Sequence, residues 1–390
     1  MIGFSYSTIK LRELVKLKKF IGGLLAFLAI FLVSGSIKAS KTTPLSNHQL
    51  KTAITHMTLQ QKIGQMYVSR VQTTPKDTVA TLTKYQLGAI ILFGPDFENQ
   101  TKPQFKQRIT GYQKAVQIPL LVSTDQEGGD VSRLSSNAKL THQRSFPSPQ
   151  TTYQKDGLQA TIKEAKQTAK ILHGLGINWN FAPVADVTDD PNSFIYARTL
   201  GTTFSKTASY IKKVVPAIQH QQVATSLKHF PGYGSAADTH TGFASTTRSL
   251  ADFEANDFLT FKAGIQSGAD SILVSHIVMT AVDPDLPASL SPKVHQLLRK
   301  QLKFNGVIVT DDLAMGAITK YAQQHHVSPD LLAVEAGNDM IMSDHYKTGI
   351  PAIAQAVQSG QISEHQINQS VYRILTMKNK LHLLSKNQLP

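Results

Sequence analysis

The sequence predicts a parallel β/α barrel of eight strands, on three observations. Short apolar runs that read as strands end near Ser69, Gly94, Asp125, Asp186, Lys228, His276, Asp311 and Ser343. Segments of helical period lie between them, among them Thr161 to His173, Ser205 to His220, Ala251 to Ser267 and Pro292 to Leu302. Asp125, Asp186, Lys228, His229, His276 and Asp311 fall at or just past strand ends, and in a barrel those ends converge on one mouth. Gathering so many ionisable groups destabilises a fold unless a ligand or a reaction uses them. A doubly wound open sheet is the alternative; no GxGxxG turn follows the first strand, which weakens it.

The chain opens on a basic head (Lys10, Arg12, Lys16, Lys18, Lys19), an apolar and small-residue run from Phe20 to Val33, and Ser34-Gly35-Ser36. That order predicts export through residues 1–39, acting either as a signal peptide cleaved after Ala39 or as an uncleaved membrane anchor. A polar linker spans 40–46, and 47–390 is expected to form a single catalytic barrel. The whole chain carries +14, and removing the first 39 residues leaves 34 basic and 25 acidic residues, a net +9. Such a charge favours an anionic cell wall or membrane face. The lysines are scattered without interleaved aromatics, so nucleic acid is not the expected partner. The absence of cysteine excludes disulfides, a lipid-attachment cysteine and cysteine metal sites.

The third strand leads into STDQEGGDVSRL, Ser123 to Leu134. Asp125 closes the strand, two glycines turn the backbone, and Arg133 can point back as a fixed cation. The fourth carries Trp179, the one tryptophan, expected in the core, and its loop runs to Arg198. An Arg beside an Asp suits neighbouring sugar hydroxyls, because one donates hydrogen bonds and the other accepts them.

The fifth strand feeds KHFPGYGSAADTH, Lys228 to His240. Pro231, Gly232 and Gly234 stop the strand and start a loop that ends in Asp238-Thr239-His240. If that end is extended, Asp238 and His240 share one side and Thr239 takes the other. A carboxylate beside an imidazole orients the ring and supports proton transfer. The seventh strand, VIVTDD, ends in adjacent acids: one is expected to face the axis and the other to cap the next helix, and periodicity leaves open which. A carboxylate facing a proton-donating arm across a sugar-sized gap is what a retaining glycosidase needs.

These motifs, with MTLQQKIGQM, FPSPQTT, GINWNFAPVADV, SILVSHIVM and AGNDMIMSD, resemble glycoside hydrolase family 3, and within it the β-N-acetylhexosaminidases of the NagZ type. The resemblance covers nearly the whole chain after residue 56. It implies a (β/α)8 barrel that removes terminal β-linked N-acetylglucosamine with retention, Asp311 as nucleophile, His240 as acid/base and Asp238 as its partner. It further implies sugar-binding roles for Asp125, Arg133, Arg198, Lys228 and His229. Three positions depart from the family's pattern: Tyr233 stands where many members carry His, Asp130 where Arg is common, and the Gly234–Asp238 spacing is one residue shorter.

No cofactor or metal is expected. His229, Asp238 and His240 form the best candidate zinc cluster and lack a recognisable ligand spacing. After the last strand only wall-completing helices are expected, Pro351 to Gln358 and Glu364 to Leu381, so the acid must come from a barrel loop. The expected partner is a carbohydrate, peptidoglycan fragments first, bound by a monomer. Three rivals stay open: another family 3 specificity or phosphate as acceptor, a Schiff-base enzyme using Lys228, and a non-catalytic wall-binding barrel.

Overall fold

The computed structural model describes residues 44–240 and 242–390. The expected leader, 1–39, and the first part of the expected linker lie outside the described residues. Eight parallel strands close a barrel in chain order: β1 (Tyr67–Arg70), β2 (Ala89–Leu92), β3 (Leu121–Thr124), β4 (Trp179–Asn180), β5 (Ala224–Phe230), β6 (Ser271–Val274), β7 (Val307–Asp312) and β8 (Met340–Met342), with β8 returning to β1. Every residue of β2, β3, β6 and β8 is buried. Their inner faces fill the barrel and their outer faces lie under helices, which is why β2 and β8 read as unbroken apolar runs rather than alternating ones. Trp179 is fully buried, tilted against Phe181 with ring centroids 4.5 Å apart, and donates Nε1–H to Ser271 Oγ at 3.0 Å.

Serine and threonine start the helices by accepting the third helical N–H, as at Thr58, Ser148, Thr203 and Ser363. The helices differ from the periodicity in three places. The 161–173 prediction is one part of Pro149–Leu175, which Gly157 interrupts with φ 77. The 251–267 prediction breaks at Asn256 into Leu250–Ala255 and Asp257–Gln266. The 292–302 prediction runs as Pro292–Gln296 and then widens into a π-helical turn over Leu297–Gln301.

The fourth strand differs too. Regular pairing stops at Asn180, because Pro183 has no N–H to give a ladder. The chain nevertheless stays alongside β5, through a bridge between Val184 and Lys228 and a 2.6 Å bond from Ala185 N to Lys228 O. Asp186 therefore still reaches His229 at the end of β5, though it does not itself line the cavity at the barrel mouth.

Away from the mouth, Lys378 on the helix Glu364–Lys380 is fully buried and donates to Gln65 Oε1 at 2.7 Å. Burial pushes its amine down to about 7. A depressed lysine pKa means the unfolded chain binds more protons between that value and the ordinary one, so stability should rise as pH climbs from 7 towards 10. Lys378→Met should raise stability at pH 6 by about 2 kcal/mol and flatten that rise. Urea unfolding at pH 6 and pH 9 checks both effects, and an unchanged slope in the variant would exclude Lys378 as the cause.

Candidate active site

A cavity of about 440 Å³ opens at the C-terminal ends of the strands. Of the eight residues to which the resemblance gives catalytic or sugar-binding roles, seven line it: Asp125, Arg133, Arg198, Lys228, His229, His240 and Asp311; Asp186 and His276, also expected at the mouth, lie behind it. The eighth, Asp238, touches His240 instead. Arg70, Phe93 and Met315 contribute to the remaining wall.

Lys228 and His229 are neighbours, and both face the cavity. The register of β5 against β6 shifts between Leu227 and Phe230, and such an irregularity lets successive side chains share a face. The peptide between the two residues is cis. Lys228 Nζ lies 2.6 Å from both Asp125 Oδ1 and Glu127 Oε1. Burial alone would push the Lys228 amine down; the two carboxylates outweigh it and hold the pKa above the ordinary lysine value. An imine-forming lysine needs a neutral amine, so this setting favours a binding cation over a nucleophile.

Glu127 is the residue that sequence reasoning missed. Its side chain is 2% exposed, and Arg198 grips it with two bonds, Nε to Oε2 at 3.0 Å and Nη2 to Oε1 at 2.8 Å. Burial would raise its pKa, yet Lys228 and Arg198 hold it well below the usual carboxylate range. The signal was present: Asp125 and Glu127 share a parity, and the loop folds as a ribbon of Gln126–Gly128 against Val131–Ser132. At the ribbon's turn Gly128 has φ 98, and a Cβ there would sit 2.3 Å from Pro147 O. Arg133 approaches Asp125 from the other side, Nη2 to Oδ2 at 3.7 Å.

His229 is oriented from both nitrogens. Arg198 Nη2 can only donate to Nε2, at 3.1 Å, so Nδ1 carries the proton and gives it to Asp186 Oδ2 at 2.7 Å. Asp186 also accepts the backbone N–H groups of His229 and Tyr233. It thus ties the end of β5 to the start of the following loop.

The two acids of β7 part company. Asp311 faces the cavity and, among the described residues, accepts one hydrogen bond, from the Asp312 N–H at 2.9 Å. Burial opposes its ionisation, but the His276 and His229 rings, the Asp312 N–H and the Lys228 ammonium hold its pKa below the ordinary value. Asp312 lies at the rim. It pairs with Arg70 and accepts the Ala314 N–H at 2.9 Å. The expected helix cap is not made: Met315 precedes Gly316–His325 with no side-chain cap bond. His276 packs beneath, donating Nε2–H to the Asp312 carbonyl at 2.9 Å and meeting Ser289 Oγ at 2.7 Å. Burial pushes the pKa of His276 down.

On the loop after β5, His240 Nδ1 lies 2.5 Å from Asp238 Oδ1. The His240 side chain is 57% exposed, and its ring reaches the cavity that holds Asp311. Gly232 has φ 122 where the loop leaves the barrel, and a Cβ there would collide with the Asp257 carboxylate. Among the described residues no group of three or more His, Asp or Glu is disposed to hold a metal ion.

A half-buried carboxylate, a cationic wall and a carboxylate-backed imidazole share one barrel mouth, an arrangement suited to acid–base work on a polar ring. Comparison with known proteins agrees. Residues 58–377 match the glycosyl hydrolase family 3 N-terminal domain, and the chain belongs to that family. It is 29% identical over 343 residues to beta-hexosaminidase A of Pseudoalteromonas piscicida, covering 79% of this chain and 56% of that one. It is 32% identical over 234 residues to a beta-hexosaminidase of Xanthomonas axonopodis pv. citri, covering 59% of this chain and 69% of that one. Among solved structures, a glycoside hydrolase family 3 beta-N-acetylglucosaminidase from Paenibacillus sp. str. FPU-7 superposes with a TM-score of 0.78 at 31% identity, covering 84% of this chain and 63% of that one. The chain therefore spans less than two thirds of the length of the first and last of these.

Proposed function

We propose that the protein is an exo-acting, retaining β-N-acetylglucosaminidase that removes terminal N-acetylglucosamine, with peptidoglycan fragments as its natural substrates. The observation that carries this reading is that Asp311 and His240 line one cavity, the first in no ion pair among the described residues and the second backed by Asp238. Asp311 attacks the anomeric carbon while His240, protonated, gives its Nε2 proton to the departing oxygen; the C–O bond breaks and a glycosyl–Asp311 ester forms. Water then gives a proton to the neutral imidazole and its oxygen to the anomeric carbon, releasing Asp311. The cavity volume lies within the range of small-ligand pockets, which suits a terminal ring rather than a long polymer. The beta-hexosaminidase relatives support the N-acetylated sugar. Action outside the cytoplasm is supported by the basic and apolar character of residues 1–39.

The test is hydrolysis of aryl β-N-acetylglucosaminide against aryl β-glucoside, followed by NMR of the first-formed sugar. Preference for the N-acetylated substrate and initial release of the β-anomer are expected. An α-anomer would refute the double displacement, and preference for glucoside would refute the sugar assignment. Release of N-acetylglucosamine from muropeptides, with and without phosphate, then tests the natural substrate and the acceptor.

A further inference from the structure

The loop that carries His240 has a small apolar core of its own. Tyr233 is buried with Ile195, Ala244 and Ile277, and Phe194 and Ala236 pack against them, apart from the main barrel core. The Tyr233 ring stands edge-on to Phe194 at 4.8 Å and to His229 at 5.1 Å. Its N–H is held by Asp186 Oδ1 at 2.9 Å, and its hydroxyl meets Thr239 Oγ1 at 2.5 Å. Thr239 is fully buried between the two half-exposed members of the Asp238/His240 pair. On its far side the loop rests on the helix that follows β7: the Thr239 carbonyl accepts Ala317 N–H and the His240 carbonyl accepts Gly316 N–H, both at 3.2 Å.

We propose that Tyr233 and Thr239 form a latch that sets the position of the His240 arm over Asp311, Tyr233 acting as a positioning residue and touching no substrate. The reason is geometric. The bond between Asp238 and His240 joins two side chains of one turn, so that bond by itself does not fix where the pair sits. Thr239 lies between them in the turn and its side chain is buried, so pinning it holds the turn that carries both neighbours. Tyr233 links this pin to Asp186 and so to His229 and Arg198, which coordinates the arm with the sugar-binding wall. The proposal rests on the acid/base role given to His240 above.

Two conservative variants and their combination test it. Tyr233→Phe and Thr239→Val each remove one hydroxyl and keep the packing. With an N-acetylglucosamine disaccharide, whose leaving oxygen needs a proton, each should lower kcat about tenfold at little change in KM, the scale of one buried hydrogen bond. With the dinitrophenyl glycoside, whose leaving group departs unprotonated, the loss in kcat/KM, which reports the glycosylation step alone, should stay below about threefold. The double variant should lose no more than either single one, because both act on one bond. Equal losses of kcat/KM on the two substrates, or single-variant losses that multiply, would overturn the latch. Hydrogen–deuterium exchange over residues 234–240 reads it without catalysis: faster exchange is expected in both variants, and wild-type protection in both would refute it. If the wild-type protein turns over neither substrate, the proposed function fails and the exchange measurement alone decides the latch.

Discussion

Replacing Asp311 with alanine is expected to lower kcat on an aryl β-N-acetylglucosaminide by about 10⁴-fold or more, with the fold intact. The fold should survive because Asp311 pins nothing distant: its hydrogen bond among the described residues comes from the adjacent Asp312 N–H. The activity should not survive, because among the described residues no other uncommitted carboxylate faces the cavity. Asp125 is drawn to Lys228 and Arg133, and Asp312 to Arg70. Asp312→Ala is the control; it removes the rim pair and should cost far less turnover. Steady-state kinetics on both variants, with circular dichroism to confirm folding, decide the matter. Near-normal turnover in Asp311→Ala would remove the nucleophile assignment, and added azide should restore turnover by giving the α-glycosyl azide if the assignment is right.

Glu127→Gln is expected to have the largest effect on stability. The exchange keeps the shape and removes the charge that holds Lys228 and Arg198, both largely withdrawn from water. Breaking a buried pair from one side costs about 3–5 kcal/mol, because the partner charges remain buried and uncompensated. In a domain of this size that lowers Tm on the order of 5–10 °C. The pH dependence carries the same signature. A depressed carboxylate pKa contributes stability above the ordinary Glu value that is lost as pH falls below it, so the wild-type protein should lose stability on acidification and the variant should lose less. Thermal melts at pH 7 and pH 4 check this; a variant as stable as wild type at pH 7 would show the network to be incidental.

Much of the barrel was legible because its signals are local. Runs such as Ala-Ile-Ile-Leu and Ser-Ile-Leu-Val declare strands buried on both faces, and Ser or Thr ahead of a periodic segment declares a helix start. The breaks at Gly157 and Asn256 were not read, although glycine and asparagine are the residues that tolerate them. β4 was read as reaching Asp186 because its apolar character continues past Asn180; Pro183 ends the ladder while a single bridge keeps the direction. At the site, residue types at strand ends locate the mouth, yet Glu127 lies beyond the end of its strand, where position alone does not mark it.

By itself the sequence determined the architecture and the set of polar groups delivered to one end of it, since period, caps and strand ends depend on residues a few positions apart. The tertiary structure alone decided which charges cancel and which one stays available. Lys228 is neutralised by an aspartate 103 positions away, Arg198 by a glutamate 71 positions away, and Asp312 by an arginine 242 positions away, while Asp311 forms no ion pair among the described residues and takes its hydrogen bond from its neighbour. Ionisation in a buried site is set by distance through space to every other charge, and no pattern along the chain records that distance.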